Sequence, residues 1–309
     1  MSVPSSEHPT GSPTMSVQSV TWVRETVRRE ASILLDGKDY LIESRLGVLA
    51  RRLGLASGED VVVAARRGDR TVKTAVIDAL TTNETSWFRD DGPFHALRHT
   101  ILPELVRARS ATRSLRIWSA ACSSGQEPYS VAMICRDVVP AGWSVDILGT
   151  DVSRTVLDRA RSGRYSQLEI NRGLPASLLV KWMRRAGSEW EIAPEVRSMV
   201  RWDWLNLADP FPAVGRFDVI MLRNVLIYFD APTKTSVLHR MRSALRPDGY
   251  MLLGGSETTI GLGAMWRREL IGATPAWRLG DAPPAPRGPA VPSPRQGRPL
   301  TTPRPHGGI

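Results

Sequence analysis

The sequence predicts a parallel-rich, doubly wound α/β domain preceded by an all-helical segment. Two patterns carry that expectation. From about residue 112 onward there are four apolar runs of buried-strand character, SLRIWSAA, SVDILGTD, RFDVIMLRN and GYMLLGGS. Helix-like stretches separate the first three, as βαβ units require. Upstream, residues 20–90 show the apolar period of helices and no strand-like alternation.

The helical segment is explicit in its details. In GKDYLIESRLGVLARRLGL, residues Ile42, Leu46, Leu49 and Leu53 fall on one helical stripe, and Gly54 ends the pattern. Lys38, Arg45 and Arg52 recur beside that stripe. They form either a solvated edge with snorkelling stems or a docking strip for an acidic partner. Ser57 is placed to cap the next helix, with Glu59 in its first turn. Residues 91–111 are expected to link the two domains, the second of which runs over 112–280. Within it, residues 163–206 break the βαβ rhythm. There EWEIAPEVRSMVRWDW alternates like a small antiparallel pair. Residues 1–19 and the Pro/Arg-rich 281–309 are expected to be disordered, because they hold too few apolar groups to build a core.

Composition excludes several classes. The chain has 309 residues, 42% of them apolar, enough for one or two domains with a sizeable core. Cys122 and Cys135 are too few for a disulfide framework and match no zinc spacing, which suits a reducing cytoplasm. No basic and apolar leader opens the chain and no window is apolar enough for a membrane span, so no membrane insertion is expected. The formal charge of +10 invites a nucleic-acid partner. Arg287, Arg295, Arg298 and Arg304 place part of it in the tail. No basic run alternates with aromatics, so no specific nucleic-acid binding is expected; an acidic protein partner accounts for the excess equally well.

In open α/β sheets ligands bind beyond the carboxyl ends of the strands, and the residues there are polar. SAACSSGQEPYS follows the first run, with Glu127 and Tyr129 opening a helix. GTDVS follows the second and holds Asp151, where an acid can accept from a ribose diol. RNVLIYFD follows the third. Taken alone, SAACSSG also fits a tight strand-to-helix turn. Neither G-x-x-x-x-G-K-[ST] nor G-x-G-x-x-G occurs, which argues against a nucleoside triphosphate. Two acids at adjacent strand ends suit a ligand with an adenosine diol and a cationic end, and S-adenosylmethionine is such a ligand. His8, His95, His99, His239 and His306 form no strand-end cluster, so a hydrolytic relay lacks its base and a metal site its ligands. Cys122 reads as a small packing residue.

The blocks LTTNETSWFRD, IWSAACSSGQEPYSVAM, GTDVSRTVLDRA and FDVIMLRNVLIYFD, followed by LRPDGYMLLGGSET, resemble the CheR-type chemotaxis receptor glutamate methyltransferases over roughly residues 30–278. The resemblance implies a Rossmann-like S-adenosylmethionine-dependent methyltransferase domain with a small antiparallel β-subdomain, preceded by an all-α N-terminal domain. It implies methyl transfer to glutamate carboxylates on cytoplasmic domains of chemoreceptors. Carried over by position, Asn83, Thr85 and Arg89 match a polar knot reaching from the helical domain to the cofactor. Glu127 matches the acid near the methionine amino group and Asp151 the ribose-binding acid. Asn206 and Leu207 match an adenine-lining segment, and Arg223 and Asn224 the pair at the third strand's end. Tyr228, four residues beyond Asn224, is expected on the same face of a short helix. Arg89 and Tyr228 are the expected catalytic pair, orienting the acceptor carboxylate.

Two departures from the family pattern stand out. Gln126 precedes Glu127 where two acids are common, and Ser86, Trp87 and Phe88 replace a double aromatic. The stretch from WMRRAGSEWEI to Asn206 also looks short of a glycine-bearing loop that docks a receptor's C-terminal pentapeptide in some members, so pentapeptide-independent recognition is expected. Two alternatives share the same residues: the same chemistry on an acceptor outside chemotaxis, and a transfer-inactive S-adenosylmethionine-binding interaction module.

Overall fold

The computed structural model describes residues 15–259 and 263–281. The expected disorder of 1–14 and 282–309 lies outside the described residues.

Four helices open the chain: α1 (Val17–Ala31), α2 (Asp39–Leu53), α3 (Gly58–Arg66) and α4 (Arg70–Leu80). Each start or stop has a chemical cause. Ser16 accepts from Ser19 N, Ser57 from Asp60 N, and Asp69 from both Thr71 N and Val72 N. These side chains satisfy helix-end donors that have no intrahelical partner. Gly54 ends α2 at φ 70°, in the left-handed region glycine adopts freely. Ile42, Leu46 and Leu49 are buried against Val23, Val27, Val61 and Val76, while Leu53 lies on the exposed end of its stripe. Helix α1 also corrects the first boundary: residues 17–19 are helical, and Glu59 fastens them by accepting from Ser16 N and from Ser19 Oγ at 3.0 and 2.6 Å.

The stretch expected as a linker is helical and belongs to the second core. It comprises α5 (Gly92–Ala96), a π turn over Leu97–Ile101, and α6 (Leu102–Ala108). Phe94, Leu97, Ile101 and Leu105 recur at helical spacing and are buried in the same cluster as Leu115 and Ile117.

The sheet domain then runs β1 (Ser114–Ala120), α7 (Gln126–Val138), β2 (Ser144–Asp151), α8 (Arg154–Ser162), β3 (Arg164–Ser166), α9 (Gln167–Ile170), α10 (Ala176–Trp182), β4 (Met183–Ala186), β5 (Glu189–Ile192), α11 (Pro194–Arg197), β6 (Val200–Trp204), β7 (Phe217–Leu222), α12 (Ala231–Ala244), β8 (Leu245–Leu253), β9 (Trp266–Ile271) and β10 (Thr274–Leu279). The seven-stranded sheet has the order β6-β2-β1-β7-β8-β10-β9. Its pairs from β6 to β8 are parallel, and β10 pairs antiparallel with β8 and β9. All four expected runs are strands. Every residue of β7 is buried, as a central strand covered on both faces demands. Alternation along β1 sends Leu115 and Ile117 to one face and Trp118 and Ala120 to the other.

Two parts of the sheet depart from expectation. EWEI and VRWDW do not pair with each other. EWEI (β5) is the centre of a three-stranded antiparallel sheet of order β3-β5-β4, whereas VRWDW (β6) joins the main sheet parallel to β2. Alternating polarity marks a strand with one covered face and does not name its partner. The β9–β10 hairpin was also not anticipated. Among the described residues no helix is long and apolar enough to cross a membrane.

Candidate active site

Strand order reverses between β1 and β7, and the carboxyl ends of β1, β2, β6 and β7 open toward the helical unit. Between them lies a cavity that opens to solvent. Asn83, Thr85, Arg89, Glu127, Asp151, Asn206, Leu207, Arg223, Asn224 and Tyr228 all line it. Ala31 and Ile33 from the end of α1 supply apolar wall, as do Val152, Leu205 and Phe229.

The turn after β1 needs its glycine. Gly125 has φ 94°, and a Cβ there would lie 2.9 Å from the Trp202 ring and 3.0 Å from both Ala160 Cβ and Tyr165 Oη. Ser123 N points back to donate to Asp151 Oδ2 at 2.9 Å, and Ser153 N donates to Oδ1 at 3.0 Å. Burial nevertheless pushes the Asp151 carboxyl up to about 6, with these backbone donors acting against the shift. A ligand hydroxyl pair donating to it would favour the charged form.

Glu127 opens α7 and accepts from Ser119 Oγ at 2.7 Å and from Arg223 Nη1 at 2.9 Å. Arg223 Nη2 donates to Arg89 O and to Asp90 Oδ2 at 2.7 and 2.8 Å. One buried guanidinium therefore ties α7, β7 and the polar knot together. Gln126, the departure from two acids, does not line the cavity: it is buried and accepts from Ser124 Oγ at 2.9 Å. The second departure is equally structural. Trp87 is buried edge-on against Tyr165, with ring centroids 4.9 Å apart, and Phe88 meets Phe94 at 5.3 Å.

The knot from TTNETSWFRD is held from both sides. Ser123 Oγ donates to Asn83 O at 2.8 Å, Trp87 N to Arg172 O at 3.0 Å, and Arg89 Nη1 to Glu84 O at 3.0 Å. Asn206 Nδ2 donates to Glu30 O at 3.0 Å, and Leu34 N donates to Tyr228 O at 3.1 Å, so the helical unit forms a wall of the cavity.

Tyr228 reaches the cavity by a different route from the one expected. Asn224 does not share a helix with it: Asn224 has φ 57°, and a single 3-10 turn over Leu226–Tyr228 begins after it. A residue absent from the sequence-based set also emerges. Glu257 is buried and accepts from the backbone of this turn. Its signal was the acid in GGSET, which follows the last parallel strand. Cys122 is buried, and burial pushes its thiol well up, as suits a packing residue. Among the described residues no group of three or more metal-ligating side chains exists.

A family model described as the CheR methyltransferase, SAM binding domain, matches residues 83–267, more than half of the chain. The chain belongs to the CheR methyltransferase family. Chemotaxis protein methyltransferase 1 of Pseudomonas aeruginosa is 42% identical over 233 residues, covering 73% of this chain and 84% of that protein. Chemotaxis protein methyltransferase Cher2 of Pseudomonas putida is 41% identical over 249 residues, covering 77% and 90%. The chemotaxis protein methyltransferase of Vibrio parahaemolyticus is 42% identical over 241 residues, covering 74% and 85%. This CheR-family chain is an S-adenosylmethionine-dependent methyltransferase, and its cavity suits that cofactor. Asp151 is a buried carboxylate that lines the cavity; Glu127 offers a second acid, and Ala31, Ile33 and Leu207 provide apolar wall.

Proposed function

We propose that this enzyme forms methyl esters on glutamate side chains of chemoreceptor cytoplasmic domains. The observation that carries it is convergence: ten residues from the helical unit and from four strand ends line one cavity. Asp151 holds the ribose diol of the cofactor, Glu127 faces its amino group, and Asn206 with Leu207 borders its adenine. Bound S-adenosylmethionine supplies an electrophilic methyl group on a cationic sulfur.

The acceptor needs no general base, since a glutamate with ordinary pKa of about 4.3 is already ionised at neutral pH. The protein's contribution is alignment and exclusion of water, worth up to about 7–11 kcal/mol in ideal intramolecular cases. Arg89 and Tyr228 orient the acceptor carboxylate. Arg89 holds it loosely, because stabilising the anion more than the transition state would slow transfer. Its one described side-chain bond, to Glu84 O, leaves other guanidinium nitrogens for a substrate.

The acceptor helix is acidic and meets α2. Arg51 and Arg52 are exposed there. Arg45, by contrast, is engaged: its Nη1 donates to Ala79 O and Thr81 O at 3.2 and 2.8 Å, capping the end of α4. The docking strip is therefore Lys38, Arg51 and Arg52. Recognition is pentapeptide-independent. Only Gly187 and Ser188 separate the paired Ala186 and Glu189 of the β4–β5 hairpin, which supports the absence of a longer docking loop. The site of action is cytoplasmic, where such receptor domains lie.

The deciding experiment is calorimetric titration of S-adenosylmethionine and S-adenosylhomocysteine, followed by methyl incorporation into purified receptor cytoplasmic domains. Micromolar cofactor binding with base-labile label on receptor glutamates is expected. Cofactor binding without incorporation into any receptor would overturn the acceptor assignment, and micromolar binding of a carrier bearing the receptor's last five residues would overturn pentapeptide independence.

A further inference from the structure

Beside Glu127 and Asp151 stands a further carboxylate, this one buried, with no assigned task. Glu257 is 7% exposed and follows β8. Its Oε1 accepts from Val225 N and Leu226 N at 2.8 and 2.7 Å. Its Oε2 accepts from Asn224 N and Gly254 N at 2.7 and 2.8 Å. Three of these four donors are consecutive, and they open the 3-10 turn that carries Tyr228. Both oxygens are thus saturated by main chain.

The turn needs such an anchor. Asn224 adopts φ 57°, in the left-handed region that asparagine visits more readily than other non-glycine residues, though as single residues. The start of a helical turn also leaves N–H groups without intrahelical partners. The Glu257 side chain meets both demands, because its two oxygens accept from the N–H groups on either side of the bend at once. The packing is close: a Cβ on Gly254 would lie 2.7 Å from Glu257 Oε2 and 2.9 Å from Asn224 N. Asn224 and Tyr228 meanwhile line the cavity.

We propose that Glu257 is a positioning residue of the active site, fixing the backbone of Asn224–Leu226 and through it the Asn224 and Tyr228 side chains. Its own side chain does not line the cavity. The proposal rests on the cavity being the cofactor site and is independent of which protein is methylated.

The test is a thermodynamic cycle read by calorimetry with S-adenosylhomocysteine. Glu257→Gln keeps the volume but replaces one acceptor oxygen with an amide NH₂, leaving backbone donors unpaired. In the wild-type background it is expected to weaken binding about tenfold. In an Asn224→Ala/Tyr228→Phe background the same change should cost less than threefold, because the polar groups it positions, the Asn224 amide and the Tyr228 hydroxyl, are already lost. A purely structural role would lower the melting temperature and leave affinity unchanged, or would cost the same factor in both backgrounds; either outcome overturns the proposal. Should Glu257→Gln fail to fold, Glu257→Asp keeps a carboxylate but withdraws it by one methylene from the N–H groups of the turn. It is expected to give the same background-dependent loss, and wild-type affinity in that variant overturns the proposal. Wild-type binding without receptor methylation would sink the acceptor assignment and leave this cycle decisive.

Discussion

Arg223 and Glu127, 96 residues apart in sequence, meet at 2.9 Å with only 1% of the Arg223 side chain exposed. The pair stands between the strand end that carries Asn224 and the helix that carries the second acid of the site. Arg223 also donates to Arg89 O, so the same guanidinium fixes the backbone of the proposed acceptor-orienting residue.

Removing one partner of such a pair leaves a buried charge uncompensated. Arg223→Met should cost on the order of 3–5 kcal/mol in denaturant unfolding. Glu127→Gln, which leaves Arg223 its bonds to Asp90 and Arg89 O, should cost clearly less. Equal losses in the two variants would show that the pair does not act as described.

Turnover and cofactor affinity should separate between two residues lining the same cavity. Arg89→Ala is expected to lower kcat at least tenfold while S-adenosylhomocysteine affinity stays within threefold of wild type. Asp151→Ala should weaken that affinity at least tenfold. Steady-state kinetics beside calorimetry checks both, and the reverse pattern would exchange the proposed roles.

The raised Asp151 carboxyl gives opposite pH dependences for folding and for binding. Its folded value of about 6 lies above the ordinary 3.8. The stabilising contribution is therefore complete below about 3.8 and is lost as pH rises through about 6. At neutral pH the group opposes folding by roughly 3 kcal/mol, since one pKa unit corresponds to about 1.4 kcal/mol. A ligand that donates hydrogen bonds to the ionised form must be bound more weakly as pH falls. S-adenosylhomocysteine affinity should drop several-fold between pH 7.5 and 5, and the drop should vanish in Asp151→Asn. An unchanged pH profile in that variant would remove Asp151 as its source.

Two glycines with positive φ should respond differently to alanine. At Gly125 the new Cβ meets Trp202, Ala160 and Tyr165, and the strained turn carries Ser123 and Glu127. Gly125→Ala should weaken S-adenosylhomocysteine binding at least tenfold. At Gly142 φ is 81° and nothing lies within 4 Å. Gly142→Ala should therefore destabilise the fold by the strain alone, about 1–2 kcal/mol, read as a lower melting temperature with affinity unchanged.

What the sequence by itself determined about this protein is what local chemistry encodes. A buried apolar run followed by small and polar residues marks a strand end facing a ligand, wherever that strand sits in the sheet. Glu127 and Asp151 were legible for that reason, as were the helix stop at Gly54 and the start at Ser57. The resemblance to a known family added Asn83, Thr85, Arg89, Asn206, Leu207, Arg223, Asn224 and Tyr228, and all of them line the cavity.

Partnership was not legible, because it depends on where distant segments meet. VRWDW alternates identically whether it closes a hairpin or edges a parallel sheet, and only its pairing with β2 decides. Arg45 belongs to a regular basic line in sequence, yet the carbonyls ending α4 claim its Nη1 and set it apart from the proposed docking strip. Tyr228 was expected on a helix face shared with Asn224; the left-handed Asn224 breaks that register, and Glu257, brought back by β8, holds the break in place. Periodicity records which residues must be covered, and the tertiary structure alone decides what covers them, since a buried polar group takes its partner from whichever segment the fold delivers.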